Sequence, residues 1–214
     1  MRKALLLVTC VWLCACADPE RERLKATTKP TYDRTTGKLT ELTFDANKNG
    51  RIDTWTAMDG NRPLSSRLDR DEDGTIDRWE YYDEHGQLAK VGFSRKNDGT
   101  PDAWAFAGRD GHLQRIEISS TADEKKIDRW EYYDESVPLS AGTGALVRVE
   151  EDGNADGRPD KWETYANGGI KTAAFDENGD GLADRRLTYE GETVVLVETA
   201  PDQEGRFTRR VEVK

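Results

Sequence analysis

An aspartate recurs at nearly constant intervals along this chain, and no other feature constrains its fold as much. Asp53, Asp77, Asp102, Asp128, Asp160 and Asp184 are separated by 24, 25, 26, 32 and 24 residues. Two places after the first five stand Trp55, Trp79, Trp104, Trp130 and Trp162. A tyrosine column (Tyr82, Tyr133, Tyr165, Tyr189), a turn glycine (Gly86, Gly111) and an aliphatic column (Leu88, Leu113, Leu146, Ile170) follow. Self-similarity at this period means that one small unit is copied along the chain, each copy burying its apolar side chains against its neighbours. Six units are visible, with half units before and after them at Tyr32 to Phe44 and Asp202 to Val213.

Within a unit, Asp77 to Tyr82 reads as an aromatic strand, Asp83 to Gly86 as a turn, and Leu88 to Phe93 as a second strand. No stretch holds apolar residues at helical spacing for long enough to form an amphipathic helix. The expected fold is all-β, an antiparallel meander of about six 24-residue hairpin repeats forming an extended twisted sheet or a solenoid. Asp-rich loops lie on one edge and Gly turns on the other. Trp79 and Tyr81 share one side of a strand and Tyr82 takes the other, so alternation names no single apolar face and leaves the curvature open.

Composition narrows the function classes. There are 42 acidic against 32 basic residues, a net charge of -10 and a pI near 4.9. Nucleic-acid binding needs a basic surface that releases counterions from phosphates, and this balance argues against it. Leu, Ile, Val and Phe number 38 of 214 residues, under the roughly 20% level at which a large core becomes hard to build. Something other than aliphatic burial has to help hold such a chain together.

The connecting loops offer that help. Four of them carry oxygen ligands at alternate positions, then Gly, then Asp at the ninth place. They are Asp45, Asn47, Asn49, Gly50, Asp53; Asp69, Asp71, Asp73, Gly74, Asp77; Asp152, Asn154, Asp156, Gly157, Asp160; and Asp176, Asn178, Asp180, Gly181, Asp184. Alternate side chains converge on one point while Gly permits the sharp turn, and a peptide carbonyl at position seven adds an oxygen. An all-oxygen shell without sulfur or imidazole suits Ca2+. Two further loops have lost the pattern: Ser94 to Asp102 carries Lys96, and Ser120 to Asp128 carries Glu124, Lys125 and Lys126. A fixed cation opposes a metal ion, so these two are expected to be empty. The alternative reading is that Asp, Asn and Gly are there as turn formers. At a dissociation constant of about 0.1 mM and about 1 mM calcium, each site would add about 1.4 kcal/mol, comparable in sum with much of a domain's stability.

These loops resemble the first nine positions of the EF-hand calcium loop. The twelfth position of that family, a bidentate Glu, is matched by Glu80 and Glu163 in two loops, against Thr56 and Leu187 in the other two. Flanking strands in place of helices leave it open whether Glu80 and Glu163 reach an ion. The segment Trp79-Glu80-Tyr81-Tyr82-Asp83-Glu84-His85-Gly86-Gln87-Leu88 is similar to the bacterial variant of the MORN repeat, with its W-x-x-Y-x-x-x-G-x-L pattern. That resemblance covers roughly residues 30–190 and implies an interaction or membrane-associated module without catalytic residues.

The amino terminus carries its own signal. Arg2 and Lys3 precede an apolar run from Ala4 to Leu13, too short for a membrane span of about 20 residues. It ends in Leu13, Cys14, Ala15, Cys16, which resembles the bacterial lipoprotein lipobox. The resemblance implies cleavage before Cys16 and lipidation of its thiol. A plain secretory signal cut after Ala15 or Ala17 is the alternative. All three Cys lie within the first sixteen residues, so the mature chain would keep one thiol and no internal disulfide. In the lipoprotein family an Asp after the modified Cys favours the inner membrane; Ala17 stands there, implying the outer membrane.

The expected organisation is a signal peptide over residues 1–15, a lipidated Cys and flexible tether over 16–30, and a β-hairpin repeat domain over 31–214. His85 and His112 both sit beside turn glycines, and no nucleophile or zinc spacing survives in the mature chain. The chain therefore reads as a non-enzymatic, membrane-anchored lipoprotein of the cell envelope with a calcium-stabilised scaffold and a protein or glycan partner. A metal-independent MORN-like adaptor and a carbohydrate-binding module or carbohydrate-active enzyme are the alternatives. The insert Ser136 to Gly144 marks a special surface.

Overall fold

The computed structural model describes residues 27–108, 112–134 and 146–213. The signal segment, Cys16, most of the expected tether, Gly111 and the insert Ser136 to Gly144 lie outside the described residues. Among the described residues fifteen strands follow one another: β1 (Thr28–Tyr32), β2 (Leu39–Phe44), β3 (Thr54–Asp59), β4 (Arg62–Leu68), β5 (Arg78–Tyr82), β6 (Leu88–Phe93), β7 (Ala103–Ala107), β8 (Leu113–Ile118), β9 (Arg129–Tyr133), β10 (Leu146–Glu151), β11 (Lys161–Ala166), β12 (Gly169–Phe175), β13 (Arg185–Glu190), β14 (Thr193–Pro201) and β15 (Phe207–Glu212). They form one antiparallel sheet in strict chain order, with β1 and β15 as its two edges. The all-β meander is therefore the observed architecture, and it is an open sheet. A solenoid would pair strands one repeat apart, whereas here each strand pairs only with its neighbours in sequence. Strand β1 begins at Thr28, so the last three residues of the expected tether already belong to the sheet.

The hairpins share one irregularity. Each from β1–β2 through β13–β14 shows a register shift beside its turn, as between Tyr81 and Tyr82, where Tyr81 pairs with Lys90 but Tyr82 pairs with Leu88, whereas β14–β15 keeps one register to Pro201 and Phe207. The extra residue, Ala89, is a β-bulge, which skips one place on one strand. Its consequence is that the tyrosine column faces the aliphatic column: Tyr133 pairs with Leu146, Tyr165 with Ile170 and Tyr189 with Val194. Asp83 closes the turn of this hairpin by accepting the N–H groups of His85 and Gln87, both at 2.8 Å. Gly86 takes a φ of 75° there, a conformation that Cβ-bearing residues adopt at a cost.

No second layer covers the sheet among the described residues, so side chains bury against cross-strand neighbours. On one face the tryptophans of β3, β5, β7, β9 and β11 lie in a single row, separated by Arg67, Gly92, Glu117 and Glu150. Trp104 is 2% exposed and its ring lies against Gly92, where a Cβ would stand 3.4 Å from the indole. The next row alternates Tyr81, Lys90, Phe106, Arg115, Tyr132 and Arg148. Its cations sit over the rings, Lys90 at 4.7 Å from Tyr81, Arg115 at 4.6 Å from Phe106 and Arg148 at 4.1 Å from Tyr132. Each such contact stabilises by about 0.5–1 kcal/mol at an exposed site.

The opposite face carries Glu80, Glu131 and Glu163. Arg78 donates to Glu80 at 2.8 Å and Tyr82 donates to it at 2.7 Å. Arg129 and Tyr133 treat Glu131 in the same way, at 2.8 and 2.7 Å. Lys161 lies 2.8 Å from Glu163, to which Tyr165 donates at 2.7 Å. Burial pushes the Glu80 and Glu163 carboxyls up, but the hydroxyl and the cation beside each hold the net value below the usual range. Burial, then the Glu163 carboxylate, pushes the Tyr165 hydroxyl up to about 12, and burial, then the Glu131 carboxylate, raises that of Tyr133.

Two outcomes follow from this packing. Val149 is 1% exposed in mid-sheet, so Val149→Ala should cost about 1–2 kcal/mol in chemical denaturation, while the exposed Leu64→Ala stays within about 0.5 kcal/mol of the parent. The lowered carboxyls of Glu80 and Glu163 contribute stability that is complete above their unfolded value near pH 4.3 and is lost as pH falls through the folded value. Melting temperature in chelator should therefore drop on acidification below about pH 4.3, and less steeply in the Glu80→Gln/Glu163→Gln double variant.

Candidate metal centre

All six connecting loops lie along one edge of the sheet, and a shared backbone pattern builds them. In five of them the first loop residue donates its N–H to the carbonyl of the preceding loop's closing Asp, as Asp69 does to Asp53 at 2.9 Å; in the first loop Asp45 donates to the Thr27 carbonyl at 3.0 Å. The fourth residue is left-handed in every loop: Lys48, Glu72, Asn97, Ala122, Ala155 and Gly179 have φ between 50° and 78°. The sixth is a left-handed glycine in five of them, Gly50, Gly74, Gly99, Gly157 and Gly181. Two closely spaced left-handed residues produce the tight loop that alternate side chains can fill.

The acidic side chains brace this backbone. In the four complete loops the first Asp accepts the glycine N–H, with distances of 2.9 Å from Gly50, 2.9 Å from Gly74, 2.8 Å from Gly157 and 2.7 Å from Gly181. The ninth Asp accepts the N–H of the second residue: Ala46, Arg70, Gly153 and Glu177, at 2.7 to 3.0 Å. The third and fifth side chains each accept the N–H two residues on, as Asn47 does from Asn49 at 3.0 Å and Asp73 from Thr75 at 2.7 Å. Burial pushes the Asp176 carboxyl up, but N–H groups led by Gly181 and Gly179 outweigh it and hold the net value low.

Three carboxylates meet at one of the loops. Asp69, Asp71 and Asp77 each bring an oxygen within 4.8 Å of the other two. Asp69 is 5% exposed, and its Oδ1 is buried with no hydrogen-bond partner, while its Oδ2 takes the Gly74 N–H. A buried oxygen without a donor costs about 1–3 kcal/mol, and a cation among these three carboxylates would meet that need. Beside this loop lies a cleft of about 260 Å³ whose walls include Asn47, Asp53, Asp69 and Glu72.

The other sequence-predicted ligands are arranged less tightly. Asp45 and Asp53 share their loop with the amides of Asn47 and Asn49, so only two carboxylates are present there. The carboxylates of Asp152, Asp156 and Asp160, and of Asp176, Asp180 and Asp184, do not meet at the distance seen around Asp69. In the last loop Asn178 donates its Nδ2 to Asp184 Oδ1 at 3.0 Å, occupying an oxygen that a cation would use. Glu80 and Glu163 are held on the face away from the tryptophans, whereas Asp77 and Trp79, two residues apart, point the other way. Their partners are Arg78, Tyr82, Lys161 and Tyr165.

The two altered loops keep the frame and lose the ligands. In one, Asp102 is 1% exposed and accepts the Arg95 N–H at 2.8 Å, with the Arg95 guanidinium at 3.3 Å. The other begins one residue earlier than the expected Ser120. Ser119 donates its N–H to the Asp102 carbonyl at 3.0 Å, as first-position residues do, so this loop runs ten residues to Asp128. Lys126 donates to the Asp123 carbonyl at 2.8 Å and closes the extra turn in place of the missing glycine.

Sequence reasoning passed over the fourth loop position, because it follows no residue pattern. Glu72 accepts hydrogen bonds from the Nδ2 groups of both Asn47 and Asn49 in the preceding loop. Asn97 donates to Asp73 at 2.9 Å and Asp71 at 3.3 Å in the loop before its own. Only the lateral stacking of loops brings these residues together.

No family model matches the chain, and no curated protein matches it. Among solved structures it is similar to accessory secretory protein 1, 2 and 3 of Streptococcus pneumoniae, at 14% identity and a TM-score of 0.37 over 50% of this chain and 19% of that one. It is similar also to TarM, at 14% identity and a TM-score of 0.35 over 49% of this chain and 22% of that one. The chain spans about a fifth of the length of each. Likeness at that level carries no argument about what this protein does.

Proposed function

We propose that this protein is a calcium-stabilised β-repeat scaffold, anchored to the cell envelope through a lipid on Cys16, that presents its sheet to a protein or glycan partner. The observation that carries the ion reading is the Asp69, Asp71 and Asp77 cluster, whose most buried oxygen has no donor. The donor set is all oxygen, with no imidazole or thiol in the loop, which favours a hard cation. Calcium accepts irregular shells of six to eight oxygens from carboxylates, amides and peptide carbonyls. Magnesium demands an octahedron and keeps its waters, which suits a crowded loop less well. By the same chemistry the loops at Asp45, Asp152 and Asp176 are weaker sites, since amides replace carboxylates at one or two positions in each.

A metal-independent scaffold is the competing reading, and one observation favours it. The closing Asp, ninth in five loops and tenth in the loop from Ser119, caps the second residue's N–H in all six, including the two that have lost their ligands. That role needs no ion. The lipid anchor and the outer-membrane location rest on the lipobox resemblance and on Ala17. Multiple acyl chains supply stable attachment where one does not.

Two experiments separate these readings. Calcium at about 1 mM should raise the melting temperature by several degrees over chelator, consistent with about 1.4 kcal/mol per site at a dissociation constant of about 0.1 mM. Asp69→Ala should remove part of that shift, and Asp98→Ala, in an altered loop, should remove none. Equal melts with calcium and chelator would exclude the ion. Cys16→Ser should move the protein from the membrane pellet to the soluble fraction; unchanged pelleting overturns the anchor.

A further inference from the structure

In two loops the left-handed fourth residue, Glu72 or Asn97, reaches sideways to the third and fifth residues of the loop before it. Each of these two complements what it meets. Asn47 and Asn49 present two amides, and Glu72 offers them one carboxylate. Asp71 and Asp73 present two carboxylates, and Asn97 offers them one amide. An amide among the carboxylates and a carboxylate among the amides is the reverse arrangement at each junction, as hydrogen bonding requires.

The geometry has a consequence for ligand orientation. An asparagine serves a hard cation only through its oxygen. With both Nδ2 groups turned outward to Glu72, Asn47 Oδ1 and Asn49 Oδ1 stay inside the loop, where they accept the N–H groups of Asn49 and Arg51 at 3.0 and 2.8 Å. Asn97 likewise engages the Oδ2 atoms of Asp71 and Asp73, leaving their Oδ1 atoms on the loop side against the N–H groups of Asp73 and Thr75. Asp69 Oδ1 here and Asp102 Oδ2 in the following loop are both buried without a partner, but among the described residues it is Asp69 that has two further carboxylates, Asp71 and Asp77, within 4.8 Å, which marks this second loop as the one shaped to take a cation.

We propose that Asn97 and Glu72 are positioning residues, each reaching from its own loop to orient the third and fifth ligands of the preceding one. The proposal rests on the calcium reading and deepens it. The loop at Ser94 to Asp102, which carries Lys96 and has lost its own ligand pattern, thereby serves its neighbour, supplying the outer support for the cluster at Asp69. Calcium affinity then depends on adjacency, so the sites along this edge are not independent.

The test uses the full chain and the glycine N–H resonance of each loop as a local reporter, since Gly50, Gly74, Gly157 and Gly181 each bond to their own first Asp. Ala122 and Ala155 already occupy the same left-handed position with φ of 57° and 61°, so alanine is compatible with the backbone there. Asn97→Ala should raise the calcium concentration that half-saturates the Gly74 signal about tenfold or more, the usual scale for losing an outer-shell partner. Gly157 and Gly181 should titrate as in the parent. Glu72→Ala should do the same to Gly50. Asn97→Gln, which keeps the donor, should restore at least part of the Gly74 affinity. Parent-like titration of Gly74 in Asn97→Ala, or a lower melting temperature in chelator with unchanged affinity, overturns the positioning role and leaves the calcium reading intact. A Gly74 signal that calcium does not move in the parent chain removes both.

Discussion

The loop edge of this sheet depends on one repeated interaction, the carboxylate of the loop's closing Asp accepting the N–H of the second loop residue. It recurs in every one of the six loops between Asp45 and Asp184, whatever else the loop has lost. A tight loop with two left-handed residues turns several backbone N–H groups inward, and each needs an acceptor. The side chains at positions one, three, five and nine supply them. That requirement explains why the Asp column persists through units whose other ligands have become Ser or Lys.

A carboxylate has two oxygens and about four acceptor sites, so bracing the backbone does not exhaust it. At Asp69 the division is visible, one oxygen on Gly74 and the other buried without a donor. The same set of residues can therefore fold the loop and still attract a cation. Concentrating acidic groups along one edge also builds a repulsive field in a chain of charge -10. Bound cations would relieve it, and so in smaller measure do the amides of Asn97 and Asn178 that lie among the carboxylates.

Away from the loops, where no second layer covers the sheet among the described residues, lateral pairing compensates. Among the described residues the buried apolar ones are few, Ala103, Trp104, Ile118, Val149 and Ala173. In place of a core, one face stacks rings and cations across β5 to β10, and the other repeats a cation, a glutamate and a tyrosine on β5, β9 and β11. Such contacts are individually modest, which is why their regular repetition matters. Near the C-terminal edge the tryptophan row gives way to Arg186 and Arg210 around the buried Glu198, at 2.6 and 2.9 Å. Paired cations there satisfy a carboxylate that would be costly to bury alone.

The strands, their order and the placement of acidic loops on one edge were legible in the sequence, because a repeat of about 24 residues with fixed columns leaves little choice of hairpin. The loop frame was legible too, since glycine and alternate oxygens have local causes within nine residues. Three things were not. The bulge that sets Tyr82 against Leu88 is a matter of cross-strand register, which turn geometry decides. The start of the fourth loop at Ser119 follows from a backbone hydrogen bond to Asp102 in the previous unit. The pairing of Glu72 with Asn47 and Asn49, and of Asn97 with Asp71 and Asp73, joins residues more than twenty positions apart. Short-range chemistry is written along the chain, so the unit could be read from it. Contacts between units depend on how neighbouring copies stack, and only the assembled sheet determines which side chains meet.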